Sequence, residues 1–235
     1  MAILENFEPQ NVFHYFEEIC GIPHGSGNTK QISDYLVNFA KEHDLKYVQD
    51  DVVIYKPATP GYENAPTVIL QGHMDMVCAK CPEIEHDFTK DGLKLVVRDG
   101  FLSAEGTTLG GDDGIAVAYG LALLDSTDLP HPALEVVFTV DEETGLLGAD
   151  GFDCSLLKGR RMINLDSEKE GCLWVSCAGG VAGNSYLPVR RVDASGRKVN
   201  VKVCGLVGGH SGAEIHKNRA SANILMGQFL YELSH

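Results

Sequence analysis

The sequence predicts an α/β fold, a mixed and mostly parallel sheet with helices on both faces, and three observations carry that prediction. Apolar runs at 67–71, 134–140 and 161–165 are nearly continuous, as expected of strands covered on both sides. Segments whose apolar residues recur at helical spacing alternate with them. Each run also stops on polar side chains: His73 and Asp75 after the first, Glu142 and Glu143 after the second, Asp166 after the third. In an open α/β sheet, chemistry gathers beyond the carboxyl ends of the strands.

The elements follow in order. Residues 9–21 and 28–43 read as helices, the second carrying Ile32, Tyr35, Leu36, Phe39 and Ala40 at i, i+3, i+4, i+7 spacing behind a Ser-Gly-Asn-Thr start. Residues 46–56 read as extended. Past the strand at 67–71, residues 93–98 and 101–104 form a hairpin around Asp99-Gly100, a dipeptide that suits a two-residue turn. From Gly114 a helix is marked by Ile115, Val117, Ala118, Leu121, Ala122 and Leu124, with Asp112-Asp113 at its start. Strands at 134–140 and 161–165 then alternate with short helical segments.

Near Gly179-Gly180 the character changes. Residues 184–191 and 198–204 alternate polar and apolar around Asp193-Ala-Ser-Gly196, which predicts a second, half-exposed sheet with a helix at about 219–233 packed on it. The chain thus divides into a larger domain, 1–183, and the start of an α+β domain, 184–235.

Composition narrows the function. With 235 residues, 44% of them hydrophobic, the chain can bury a substantial core. Nineteen Lys and Arg against 33 Asp and Glu give a net charge of −14, which repels polyphosphate and argues against a nucleic-acid partner. No apolar run is long enough to span a bilayer and the first residues lack a secretory pattern, so no membrane association and a cytoplasmic location are expected. The seven cysteines are scattered and read as reduced thiols. Cys78-Ala-Lys-Cys81 lacks the second close pair of a zinc ribbon, and Pro82 follows where a redox dithiol opens a helix.

Taken singly, the polar strand ends have ordinary structural explanations. His73 and Asp75 share a face of an extended segment, so Asp75 can accept one ring N–H while the other nitrogen binds a metal; a part-buried histidine bonded to a carboxylate is also common without any metal. Asp112, in Leu109-Gly-Gly-Asp-Asp-Gly114, reads alone as an acidic helix start. Glu142 and Glu143 would face opposite ways on a strand, and only a turn at Thr144-Gly145 lets one bind a metal while the other accepts a proton. Asp166 ends its strand in the same way. The constellation carries the reading: a two-metal hydrolase site on one sheet edge.

His73-Met-Asp75, Gly106-Thr-Thr-Leu-Gly-Gly-Asp112-Asp-Gly114, Asp141-Glu-Glu-Thr-Gly145, Asn164-Leu-Asp-Ser-Glu168 and Gly208-Gly-His-Ser-Gly212 resemble the co-catalytic zinc peptidases related to aminoacylase and glutamate carboxypeptidase. Within that family, His86-Asp-Phe-Thr-Lys-Asp91, Glu170-Gly171 and Cys177-Ala-Gly-Gly180 resemble the aminoacyl-histidine (Xaa-His) dipeptidases. The resemblance implies two zinc ions, with cobalt or manganese also suited to such ligands. It makes Asp112 the bridging carboxylate, through a cis peptide to the next residue. His73 and Asp166 complete one metal and Glu143 binds the other, while Glu142 is the general base and Asp75 orients His73. His210 belongs to the lid, the 184–235 domain, and reaches the substrate oxyanion on closure. In some relatives it comes from a partner subunit, which implies a homodimer through the lid.

Family members are longer, and the second metal's terminal histidine comes from a returning segment that nothing here matches; His216 and His235 lie outside the corresponding motif. The expectation is an N-terminal part of the enzyme, holding its second metal weakly and impaired by itself. The substrate implied is a small peptide with C-terminal histidine, whose carboxylate Asn218 and Arg219 are candidates to grip. The alternatives are a related aminopeptidase, carboxypeptidase or N-acyl amino acid deacylase, or a non-catalytic binding module. A nucleotide-binding α/β protein is disfavoured, since neither Gly-x-Gly-x-x-Gly nor a phosphate loop is present.

Overall fold

The computed structural model describes residues 3–49, 51–167, 169–177, 179, 181, 183–193, 195–209 and 214–234. It divides into two compact units, Met1–Lys169 and Glu170–His235. The sequence places the change of character some ten residues later, near Gly179-Gly180.

In the first unit, α1 (Gln10–Cys20) buries Val12, Tyr15, Phe16, Ile19 and Cys20, the stripe that a 3.6-residue period puts on one face. Helix α2 (Lys30–Glu42) buries Ile32, Leu36, Val37, Phe39 and Ala40 in the same manner. Strands β1 (Lys46–Val48) and β2 (Val52–Lys56) form an antiparallel pair. Strand β3 (Val68–His73) follows, then the β4 (Leu95–Arg98) and β5 (Phe101–Ala104) hairpin. Asp99 and Gly100 both have positive φ, 52° and 81°, the backbone that the Asp-Gly turn predicts.

Helix α3 (Gly111–Asp125) leads to β6 (Leu134–Thr139), and the short α4 (Leu147–Gly151) and a turn of 3₁₀ helix lead to β7 (Arg161–Asn164). Asp112 and Asp113 are non-helical, so regular helix begins at Gly114, as the apolar spacing indicates.

The five-stranded sheet has the order β1-β2-β6-β3-β7. It is mixed: β2 meets β6 antiparallel, while β6, β3 and β7 run parallel. Strand β6 sits at its centre and is buried throughout. Alternate side chains serve two layers. Ile54, Leu70, Val136 and Phe138 join α1, α2 and α3 in the main core; Val53, Ile69 and Val137 form a smaller one under Phe152, Leu156 and Leu157. The two faces are therefore covered unequally, one by three long helices and the other by the segment that carries the 3₁₀ turn. Glu135 is buried on that thinner side, and its carboxylate accepts the N–H groups of Lys158 and Gly159, both at 3.0 Å.

In the second unit, α5 (Ala222–Ser234) forms where a helix is expected. The strands expected at 184–191 and 198–204 are not formed among the described residues. Alternation only prepares a segment for a ladder, and among the described residues no partner strand takes up its backbone groups; Tyr186, Leu187 and Val189 remain 91%, 82% and 81% exposed. No helix among the described residues is long and apolar enough to cross a membrane.

Candidate metal and catalytic site

Parallel pairing of β3 with β6 and β7 brings three carboxyl ends to one edge. His73 lies opposite Thr139, and Gln71 opposite both Val137 and Asn164. Residues just beyond these ends are consequently neighbours, although up to 93 positions separate them in sequence.

His73 closes β3 and is 1% exposed. Its Nδ1 lies 3.0 Å from the Asp75 carbonyl oxygen and 3.3 Å from Asp75 Oδ1, while Nε2 lies 3.1 Å from Asp112 Oδ1. A proton on Nδ1 leaves Nε2 for a metal, the arrangement in which an outer carboxylate orients a histidine ligand.

The start of α3 supplies Asp112 and Asp113, joined by a cis peptide bond. They reach His73 because β3 carries glycine at 72: a Cβ there would lie 2.5 Å from Ala116 Cβ and 2.7 Å from Asp113 Oδ2. Asp113 is buried, and its Oδ2 accepts the His73 N–H at 3.2 Å.

Past β6 the chain turns at Asp141, whose φ is 51°, and Glu142 O accepts the N–H groups of Gly145 and Leu146. This turn allows consecutive glutamates to face one site. Both are held through their backbone, since the Glu142 and Glu143 N–H groups donate to Asp75 Oδ1 and Oδ2 at 3.0 and 3.3 Å. Glu142 Oε2 lies 3.9 Å from His73 Nε2.

Among the described residues, two groups have side-chain oxygens and nitrogens close enough together to hold one cation: His73, Asp112 and Glu143, and His73, Asp113 and Asp166. Their ionisation reflects burial first and then crowding of like charge. Burial, then the charge of Asp166, pushes Asp113 up to about 7. Burial and the neighbouring carboxylates also raise Glu142 and Glu143. Burial opposes a charge on His73, but hydrogen bonds to Asp112 and Asp75 outweigh it and raise its pKa. Burial likewise opposes a charge on Asp75, and hydrogen bonds from His73, Ser26 and the Glu142 amide hold it down at about 2.

The structure therefore brings together His73, Asp75, Asp112, Glu142, Glu143 and Asp166. His210 lies outside the described residues. Sequence reading missed Asp113, which stands in the second ligand group where Asp112 is expected; its only signal was adjacency to Asp112. It also missed Ser26, whose contact with the site arises entirely from folding.

The fold is α/β with a histidine and carboxylate cluster at the strand ends, and solved peptidases share it. The chain is 41% identical over 235 residues to the cytosol non-specific dipeptidase of Escherichia coli K12, covering 98% of this chain and 48% of that protein. The solved structure of aminoacylhistidine dipeptidase from Vibrio alginolyticus matches with a TM-score of 0.71 at 35% identity, over 97% of this chain and 47% of that one. A tripeptidase from Staphylococcus aureus matches 68% of this chain and 44% of its own, with a TM-score of 0.57 at 26% identity. No protein-family model matches. The likeness to aminoacyl-histidine dipeptidase read from the motifs is thus found independently in sequence identity and in fold. The chain spans about half the length of the relatives it matches.

Proposed function

We propose that the protein is a cytoplasmic metal-dependent dipeptidase acting on small peptides, with a preference for Xaa-His. The observation that carries this reading is the convergence of the two ligand groups at one sheet edge, with Glu142 beside them and in neither. The donor set fits a divalent cation. One imidazole nitrogen and several carboxylates suit zinc, cobalt or manganese, and a cation offsets the burial and the carboxylate repulsion that raise Asp113, Glu142 and Glu143.

Motif resemblance assigns His73, Asp112 and Asp166 to one zinc ion and Asp112 with Glu143 to a second, whereas the geometry groups Asp112 with His73 and Glu143, and Asp113 with His73 and Asp166. When bound, the metal supplies Lewis-acid activation of a water and of the peptide carbonyl. Glu142 takes the proton from the attacking water and returns it to the leaving amine. Asp75 keeps the Nδ1 proton of His73 and the turn of Glu142 and Glu143 in place. His210 as the oxyanion partner, 1–183 as catalytic domain, 184–235 as the start of a lid, and a homodimer through that lid rest on motif resemblance.

The test is hydrolysis by the native protein after chelation and zinc replacement. Xaa-His dipeptides should be cleaved fastest, ahead of dipeptides without histidine, tripeptides and acylated amino acids. Equal rates on all dipeptides would favour broad specificity, as the name of the E. coli relative suggests for that protein. Activity that survives chelation, or falls only on acylated amino acids, would overturn the reading.

Both ligand groups draw on His73, and its Nδ1 faces Asp75. One ring nitrogen then serves one ion, and a catalytic zinc site usually needs three protein ligands. Residues 1–235, desalted from zinc, are expected to retain one tightly held ion by elemental analysis; two would show that another side chain completes the second set.

A further inference from the structure

The loop between α1 and α2 runs alongside the chain leaving β3. Gly25 pairs with Met76 as a single parallel bridge, the Met76 N–H donates to His24 O at 3.2 Å, and the Ser26 N–H donates to Met76 O at 3.3 Å. The approach is close, since a Cβ on Gly25 would fall 2.3 Å from Cys78 Sγ. At this point the Ser26 hydroxyl donates to Asp75 Oδ2 at 2.7 Å, and the Gly27 N–H donates to Asp141 Oδ1 at 2.6 Å.

The Asp75 carboxylate thereby accepts from the N–H groups of Glu142 and Glu143 and from the Ser26 hydroxyl, while His73 Nδ1, bonded to the Asp75 carbonyl oxygen at 3.0 Å, lies 3.3 Å from Oδ1. An ionised carboxylate offers about four lone-pair sites, so these contacts occupy most of them. Oδ1 meets His73 and Glu142. Oδ2 meets Glu143 at 3.3 Å and Ser26 at 2.7 Å, so the serine is its shorter restraint.

We infer that Ser26 is a positioning residue of the site: its hydroxyl fixes the rotation of the Asp75 carboxylate, and through it the His73 ring and the Glu142–Glu143 turn. Gly27 pins the same turn from Asp141. This role rests on the proposed reading of His73 and Glu143 as metal ligands. Without the hydroxyl, Oδ2 keeps only the 3.3 Å bond from the Glu143 N–H, and the buried carboxylate loses its shorter restraint on that side.

The test compares Ser26→Ala and Ser26→Thr with the unvaried full chain, by cobalt titration followed in visible absorption and by amide hydrogen exchange without metal. Ser26→Ala should bind cobalt about ten-fold more weakly, the low end for loss of an outer-shell partner. Exchange at the Glu142 and Glu143 amides should accelerate while the β6 amides keep their protection. Ser26→Thr, which retains the hydroxyl, should restore both. Unchanged cobalt affinity and exchange in Ser26→Ala would overturn the inference, as would protection lost evenly across the core or a Thr variant as impaired as Ala. If the unvaried chain takes up no cobalt, the metal reading itself falls, whereas exchange at Glu142 and Glu143 still decides whether Ser26 restrains Asp75.

Discussion

Glu142→Gln is expected to lower kcat for dipeptide hydrolysis by about 10²- to 10⁴-fold, the usual worth of a positioned general base, while divalent-metal affinity stays nearly unchanged. Glu142 belongs to neither ligand group, so its loss removes no metal donor. Its backbone N–H, not its side chain, donates to Asp75 Oδ1, so the turn survives an isosteric amide. What disappears is the capacity to accept a proton 3.9 Å from the face of His73 that the metal would use. Steady-state kinetics beside a metal titration separate the outcomes. Full activity in the variant would transfer the base role elsewhere, and a large loss of metal would make Glu142 a ligand.

The second large effect is expected from Gly72→Ala, one methyl group at the seam between β3 and α3. The added carbon would lie 2.5 Å from Ala116 Cβ and 2.7 Å from Asp113 Oδ2, and Ala116 has no flexible end to yield. Overpacking of this kind costs about 1–3 kcal/mol. The consequence reaches the site, because Asp113 Oδ2 also accepts the His73 N–H. Displacing α3 moves Asp113, and Asp112 beside it, away from the histidine. Urea denaturation should show the lost stability, and cobalt titration a weakened site. Gly151→Ala, where nothing lies within 4 Å of the new carbon, should stay within about 0.5 kcal/mol. Equal behaviour of the two variants would mean that α3 is not seated on β3 as described.

Much of this architecture was legible in the residues. The apolar runs of β3 and β6 announced strands because residues buried on both faces need no alternation, whereas the run of β7 also forms a strand although its residues lie exposed at the sheet edge. The periodicities of α1, α2 and α3 announced helices, and Asp99-Gly100 announced its turn. The clustering of the candidate site residues was readable too, since His73, Glu142, Glu143 and Asp166 mark where apolar strands stop. The segments 184–191 and 198–204 show the boundary of that method. Their alternation satisfies a local rule, yet a strand exists only with a partner.

By itself, then, the sequence determined which segments become helix or strand in the first unit and which strand ends carry histidine and carboxylate side chains, because those follow from side-chain type and spacing within a few residues. Only the tertiary structure decided the order β1-β2-β6-β3-β7 that makes the ends of β3, β6 and β7 neighbours, the burial of Asp113 against His73, and the reach of Ser26 to Asp75. Those contacts join positions about 40 to 50 residues apart, and they depend on strand pairing and on the fit of α3 over Gly72, which no local period encodes.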